Sequence, residues 1–119
     1  MREKIKDKGR LEHIKSAIDQ IITYKQQYDF SNLQSNAIVF YGFVKLVEII
    51  GEAVCMFSQE FRSTHKEVNW DLIEHMRHVL VHGYYTISPE TLWETIENDI
   101  PELKRWIDMY LNDDENSSK

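Results

Sequence analysis

Asn69–Tyr84 reads NWDLIEHMRHVLVHGY, and this stretch decides the fold class. Asn69 is a helix-capping residue type, because its short amide side chain can accept a hydrogen bond from an unpaired amide of the first turn. Asp71 and Glu74 follow in that first turn, where acidic side chains suit the helix dipole. Leu72, Ile73, Met76, Val79 and Leu80 recur at three- and four-residue spacing and so form one apolar stripe. Gly83 stands where a helix commonly stops. The pattern predicts a helix from Trp70 to about His82 with one face in a core.

The same periodicity continues on both sides. Upstream, Leu11, Ile14, Ile18, Ile21 and Ile22 predict a helix over roughly Gly9–Tyr28. A second, long helix is expected from Ser31 or Asn32 to about Thr64, carrying Ile38, Phe40, Val44, Val47, Ile50, Val54, Phe57 and Phe61. Gly42 and Gly51 inside it each cost about 1 kcal/mol relative to alanine, which points to close packing at both. Downstream, Ser88-Pro89-Glu90 opens a last helix, with serine as cap and proline at the first helical position. Pro101 interrupts its pattern of Leu92, Trp93, Ile96, Ile100, Leu103, Trp106, Ile107, Tyr110 and Leu111, so a kink or a restart capped by Asn98 or Asp99 is expected. Short connections make neighbours antiparallel. The expectation is an all-α antiparallel bundle of four to five helices, with a long second helix and a kinked or split last one. It occupies a single domain over residues 1–112, followed by a frayed polar tail at 113–119.

Composition narrows the options further. The chain has 119 residues, of which 42% are hydrophobic, enough for one core. Four glycines and two prolines are too few for the tight turns of sandwiches and barrels. The single cysteine, Cys55, excludes a disulfide framework within the chain and fits a reducing cytosol. In its apolar setting, AVCMF, it is read as a small core residue. The most apolar stretch, Leu46–Phe57, is broken by Glu48 and Glu52, so no membrane span is expected, and the first ten residues carry no secretory signal. A cytoplasmic protein follows. The net charge of −6 lowers the odds of a nonspecific nucleic-acid binder. A local site stays open, since Arg2, Lys4, Lys6, Lys8 and Arg10 cluster at the start, either touching RNA or simply solvated.

The residues that carry chemistry concentrate in the helix after Asn69. His75, His78 and His82 share one line on the side away from its apolar stripe, facing solvent or a partner. His78 and His82 are four apart and could share one Zn²⁺. His75 stands about 10 Å along the axis from His82, too far to join them, and the H-E-x-x-H pattern of zinc proteases is absent. Arg77 offers a planar fork matched to phosphate, and histidine, here His82, is the residue type that moves protons near neutrality. Together they are a minimal kit for phosphodiester cleavage. Five residues apart they point about 140° apart on a helix, so arginine's reach, a loosened helix end or a second subunit must bring them to one phosphate. Glu48 and Glu52 are a possible carboxylate pair, but solvation or pairing with Lys45 or Arg77 is the plainer account.

Arg77-x4-His82-x-Tyr84, read as RHVLVHGY, resembles the R-x4-H-x-Y signature of the HEPN superfamily in its HepT-like branch of ribonuclease toxins. VEIIGEAV (Val47–Val54), the block ending at Tyr84, and LWETIENDIPELK (Leu92–Lys104) are similar to that branch in order and spacing, over Leu11 to Ile107. The resemblance implies a helical homodimer whose two motif helices line a shared cleft. It implies a toxin of a type VII-like toxin–antitoxin pair, a metal-independent endoribonuclease needing no cofactor, with RNA as substrate. Arg77 and His82 would be catalytic. The implied partner is an MntA-like nucleotidyltransferase antitoxin that attaches AMP to the motif tyrosine, Tyr84, with Tyr85 adjacent. Many members carry asparagine after the motif arginine; His78 stands there instead, in a supporting position. The competing expectation is a non-catalytic subunit that binds substrate or partner for the nucleotidyltransferase. A plain dimeric scaffold would leave the histidine line unexplained.

Overall fold

The computed structural model describes residues 2–83 and 87–117, with side chains over 6–83 and 87–113. All the regular structure among these residues is helical. Helix α1 (Arg2–Lys25) is followed by a short α2 (Phe30–Ser35), then α3 (Ala37–Cys55), a short α4 (Gln59–Thr64) and α5 (Trp70–Gly83). Helix α6 (Pro89–Glu94) passes through a π-helical turn (Thr95–Asp99) straight into α7 (Ile100–Ser117).

The core forms where α1 packs on α3 and α7, and α3 packs on α5. Leu11, Ile14, Ile18 and Ile21 of α1 are almost wholly buried, as are Phe43, Ile50 and Val54 of α3 and Ile107 of α7. Each such aliphatic side chain contributes roughly 1.5–3 kcal/mol by leaving water. The helical bundle is therefore as expected, and so is the helix from Trp70, whose first turn is capped by Asn69 Oδ1 accepting from Leu72 N at 3.1 Å.

The long second helix is not. It is divided into α2, α3 and α4 by two capping residues. Asn36 adopts an extended backbone (φ −124°, ψ 109°) and its side chain accepts from the amides of Ile38 and Val39. Ser58 starts α4 by accepting from Phe61 N at 3.1 Å, and its own amide and hydroxyl both donate to Asp7 of α1, at 3.0 and 2.7 Å. Asp7 is thereby a buried carboxylate that ties α1 to the start of α4. The physical reason is local: Asn and Ser offer the backbone a side-chain acceptor that competes with continuing the helix.

The last helix does change course near Pro101, without the expected capped restart. Pro101 has no amide and crowds the carbonyl four residues back. The chain answers with one wide turn, in which the Ile100 amide donates to Thr95 O, five residues back. Helix α7 then runs on to Ser117, over much of the segment expected as a frayed tail.

Two packing expectations are also revised. Gly51 lies in close contact with another helix, but Gly42 is exposed with nothing within 4 Å of where a Cβ would stand. Cys55 is exposed rather than a core residue, because α3 ends there and its buried side passes through Gly51 and Val54 instead.

Candidate active site

Helix α5 carries the site, and its seat on α3 sets the direction of Arg77. A Cβ added at Gly51 would collide with Cβ of Arg77 and stand 2.8 Å from its Cγ. Arg77 thus starts from the tightest point of the α3–α5 crossing, possible only because position 51 has no side chain. The buried side of α5 runs through Trp70 and Leu80, with Ile73 and Arg77 partly buried between them. The stripe expected to be core is therefore rotated: Leu72 is 58% exposed, and Arg77 has come inside. The Nε of Arg77 is buried and has no hydrogen-bond partner. A buried donor without a partner costs about 1–3 kcal/mol. That cost is removed when an anion or another acceptor reaches it.

The neighbouring cation is already bonded through one end of its guanidinium, although its Nε too is buried without a partner. Arg62 of α4 donates through Nη2 to the Val54 carbonyl at 2.8 Å and to Glu74 of α5 at 2.5 Å. This bond from Arg62 holds the Glu74 carboxyl below the usual carboxylate range, with the charges of Arg62 and Arg77 adding to it. Cys55 stands on the same cluster. Desolvation and then its hydrogen bond to Glu74 push its thiol up, so the thiolate is disfavoured there. Arg62 and Glu74 lock α4 and α3 to α5 beside Arg77. From sequence, Arg62 reads as a solvated position late in the long second helix and Glu74 only as a first-turn acid, whereas the Arg62 side chain is just 15% exposed. Their twelve-residue separation gives no periodic signal.

His75, His78 and His82 are all exposed, as the helix period requires. The rings of His78 and His82 approach to 4.5 Å between centroids. Arg77 and His82 occupy different sides of α5, and no contact between them is recorded among the described residues. Tyr84 and Tyr85 lie outside the described residues. Glu48 pairs with Lys45 at 3.6 Å and Glu52 is exposed, so the carboxylate pair on α3 takes its plainer reading. Among the described residues no group of three or more His, Cys, Asp or Glu could hold a metal ion, and no helix is long and apolar enough to cross a membrane.

Arg77 also lines a cavity of about 200 Å³ between α3, α5, the π turn and α7. Ile73, Met76, Leu103 and Trp106 wall it, and Asp99 and Glu102 contribute acidic groups. Burial, then Glu94 and Glu102, push the Asp99 carboxyl up.

This geometry coincides with a family match. The family model "Ribonuclease HepT-like" matches residues 14–109. A "putative RNase" of Caldanaerobacter subterraneus subsp. tengcongensis is 36% identical over 97 residues, 82% of this chain and 87% of that one. A "probable ribonuclease HepT" of Thermococcus cleftensis is 32% identical, covering 82% and 88% of the two chains. A "putative RNase" of Methanocaldococcus jannaschii is 30% identical over 106 residues, covering 89% and 91%. No solved structure matches the chain. The chain belongs to the HepT-like ribonuclease family, and its class of activity is RNA cleavage.

Proposed function

We propose that this protein is the toxin of a toxin–antitoxin pair and cuts RNA endonucleolytically, without a metal, through Arg77 and His82. The carrying observation is the buried, partnerless Nε of Arg77 on the same helix as an exposed His82, in a chain of a ribonuclease family. The ribose 2′-hydroxyl is the nucleophile, so the substrate itself brings the attacking group. His82 takes its proton as the oxygen attacks the adjacent phosphorus, and general-base catalysis of this kind is worth about 10²–10⁴ in rate. Arg77 offers its guanidinium to the phosphate oxygens as charge builds on them. The 5′-oxygen leaves and takes up a proton, giving a 2′,3′-cyclic phosphate and a 5′-hydroxyl.

The 140° between Arg77 and His82 favours a site completed by two subunits. A single domain over 1–112 is the unit of a two-fold homodimer, in which one chain's Arg77 meets the other's His82. The partly uncovered apolar face of α5, with Leu72 at 58% exposure, supports such a contact. His78 acts as a supporting group beside His82. The antitoxin is a nucleotidyltransferase that adds AMP to Tyr84. The phosphate so placed beside the motif would occupy Arg77 and repel the RNA backbone.

The test is cleavage of total RNA by the purified chain with chelator present, wild type beside His82→Ala. Wild type should cut, and His82→Ala should lose at least about 10² in rate with an unchanged circular dichroism spectrum, since His82 is outside the core. Full activity in the variant would remove His82 from the reaction.

A further inference from the structure

His78 and His82 present two exposed imidazoles on successive turns at the C-terminal end of α5, with ring centroids 4.5 Å apart and planes inclined at 52°. Histidines four residues apart on one helix face are spaced so that both can bind one ion. A zinc ion with bonds of about 2.0–2.1 Å to nitrogen and tetrahedral angles needs its two nitrogens roughly 3.3 Å apart. Ring centroids sit further from the ion than the ligating atoms do, so tetrahedral binding needs them roughly 5 Å apart, and small rotations of the two side chains reach that from 4.5 Å. Both rings are open to solvent, and neither is held by a hydrogen bond recorded among the described residues. His75, seven residues from His82, is about 10 Å away along the axis and cannot join the same ion.

We propose that His78 and His82 form a two-imidazole chelate for a transition-metal dication of the zinc, nickel or copper class, and that its occupancy switches off RNA cleavage. The second half rests on the role given to His82 above. Each neutral imidazole donates one ring-nitrogen lone pair to the ion, two waters leave the ion, and no other bond forms or breaks. While its lone pair is so engaged, His82 cannot take the 2′-hydroxyl proton. With two protein ligands and the remaining positions open, the site exchanges its metal, unlike a closed four-ligand structural zinc centre. Imidazole selects these ions over magnesium and calcium, which prefer oxygen, so magnesium leaves the pair empty.

The experiment uses the untagged full-length chain, stripped with chelator. Zinc binding is followed by titration calorimetry, and RNA cleavage by the same samples is measured without zinc, with zinc, and after excess chelator. Wild type should bind one Zn²⁺ per chain, lose at least about tenfold in cleavage at saturation, and recover when zinc is removed. Magnesium should do neither. Losing even an outer partner of a metal ligand costs about 10–100-fold in affinity. His78→Gln, which loses a ligand itself, should therefore bind zinc at least about tenfold more weakly. Its cleavage, compared with its own zinc-free rate, should survive the zinc concentration that silences wild type. Cys55→Ser should behave as wild type, which separates the pair from the exposed thiol. Unchanged zinc affinity in His78→Gln would overturn the chelate and leave the role of His82 in cleavage untouched. Zinc held by the pair with cleavage undiminished would overturn the switch. In that case the zinc-free rate of His82→Ala shows whether His82 was the proton carrier at all.

Discussion

Arg77 and Arg62 stand close together on the same side of the bundle, yet they have different fates. Each has a buried Nε without a partner, but Arg62 spends its Nη2 on the Val54 carbonyl and on Glu74, whereas Arg77 makes no side-chain hydrogen bond among the described residues. A planar cation with all its donors spare is suited to a phosphate; one already bonded to a neighbouring helix is suited to a joint. The Arg62–Glu74 joint makes a pH prediction. The Glu74 carboxyl lies below its ordinary 4.5 because Arg62 bonds to its charged form. A carboxylate lowered by folding contributes stability fully above its unfolded value and loses it as pH falls through the folded value. Glu74→Gln should therefore destabilise at pH 7, by about 0.5–1 kcal/mol after solvent screening of a pair that is partly exposed. Denaturant melts of the two proteins should converge as pH falls below 4.5. A gap that stays constant down to pH 3 would mean that the pair contributes nothing through charge.

At the scale of elements, the decisive features are the crossing of α3 over α5 and the breaks on either side of α3. Gly51→Ala sets two effects against each other. Alanine favours the helix by about 1 kcal/mol, but its Cβ would collide with Cβ of Arg77, which sits next to the backbone and cannot swing aside. Overpacking of this kind costs about 1–3 kcal/mol, so the clash wins and α5 must shift. The expected outcome is a lowered melting temperature together with a fall in cleavage larger than the stability loss explains, because Arg77 is displaced. Gly42→Ala, with open space around it, is the matched control and should raise or preserve stability. Equal melting temperatures for the two variants would show that the crossing has slack. The wide turn before Pro101 belongs to this scale as well: it absorbs a missing amide without breaking the path from α6 to α7.

For the whole molecule, the open matter is how Arg77 and His82 meet one phosphate. Mixed dimers answer it. If each site takes Arg77 from one chain and His82 from the other, a dimer of an Arg77→Ala chain with a His82→Ala chain keeps one intact site. Random pairing of the two inactive proteins should then restore about a quarter of wild-type activity in a two-fold assembly. If each site lies within one chain, the mixture stays inactive. Co-refolding the variants and measuring RNA cleavage distinguishes the two arrangements directly.

The bundle, the capped start of α5 at Asn69, the serine–proline opening of α6 and the disturbance at Pro101 were all legible in the sequence. They arise from interactions within a few residues or from a period that repeats over several turns. So was the exposed line of His75, His78 and His82, because helical geometry alone assigns it a side. The division of the long second helix was in plain view at Asn36 and Ser58, yet the unbroken apolar period around them outweighed two polar residues. Asp7 helped to decide the second break, from 51 residues away. Only the tertiary structure decided which way α5 turns, taking Arg77 into the α3 crossing and leaving Leu72 outside. The rotation of a helix about its own axis depends on where a neighbouring helix can come closest. That is set by Gly51, and no local pattern in the sequence of α5 contains it.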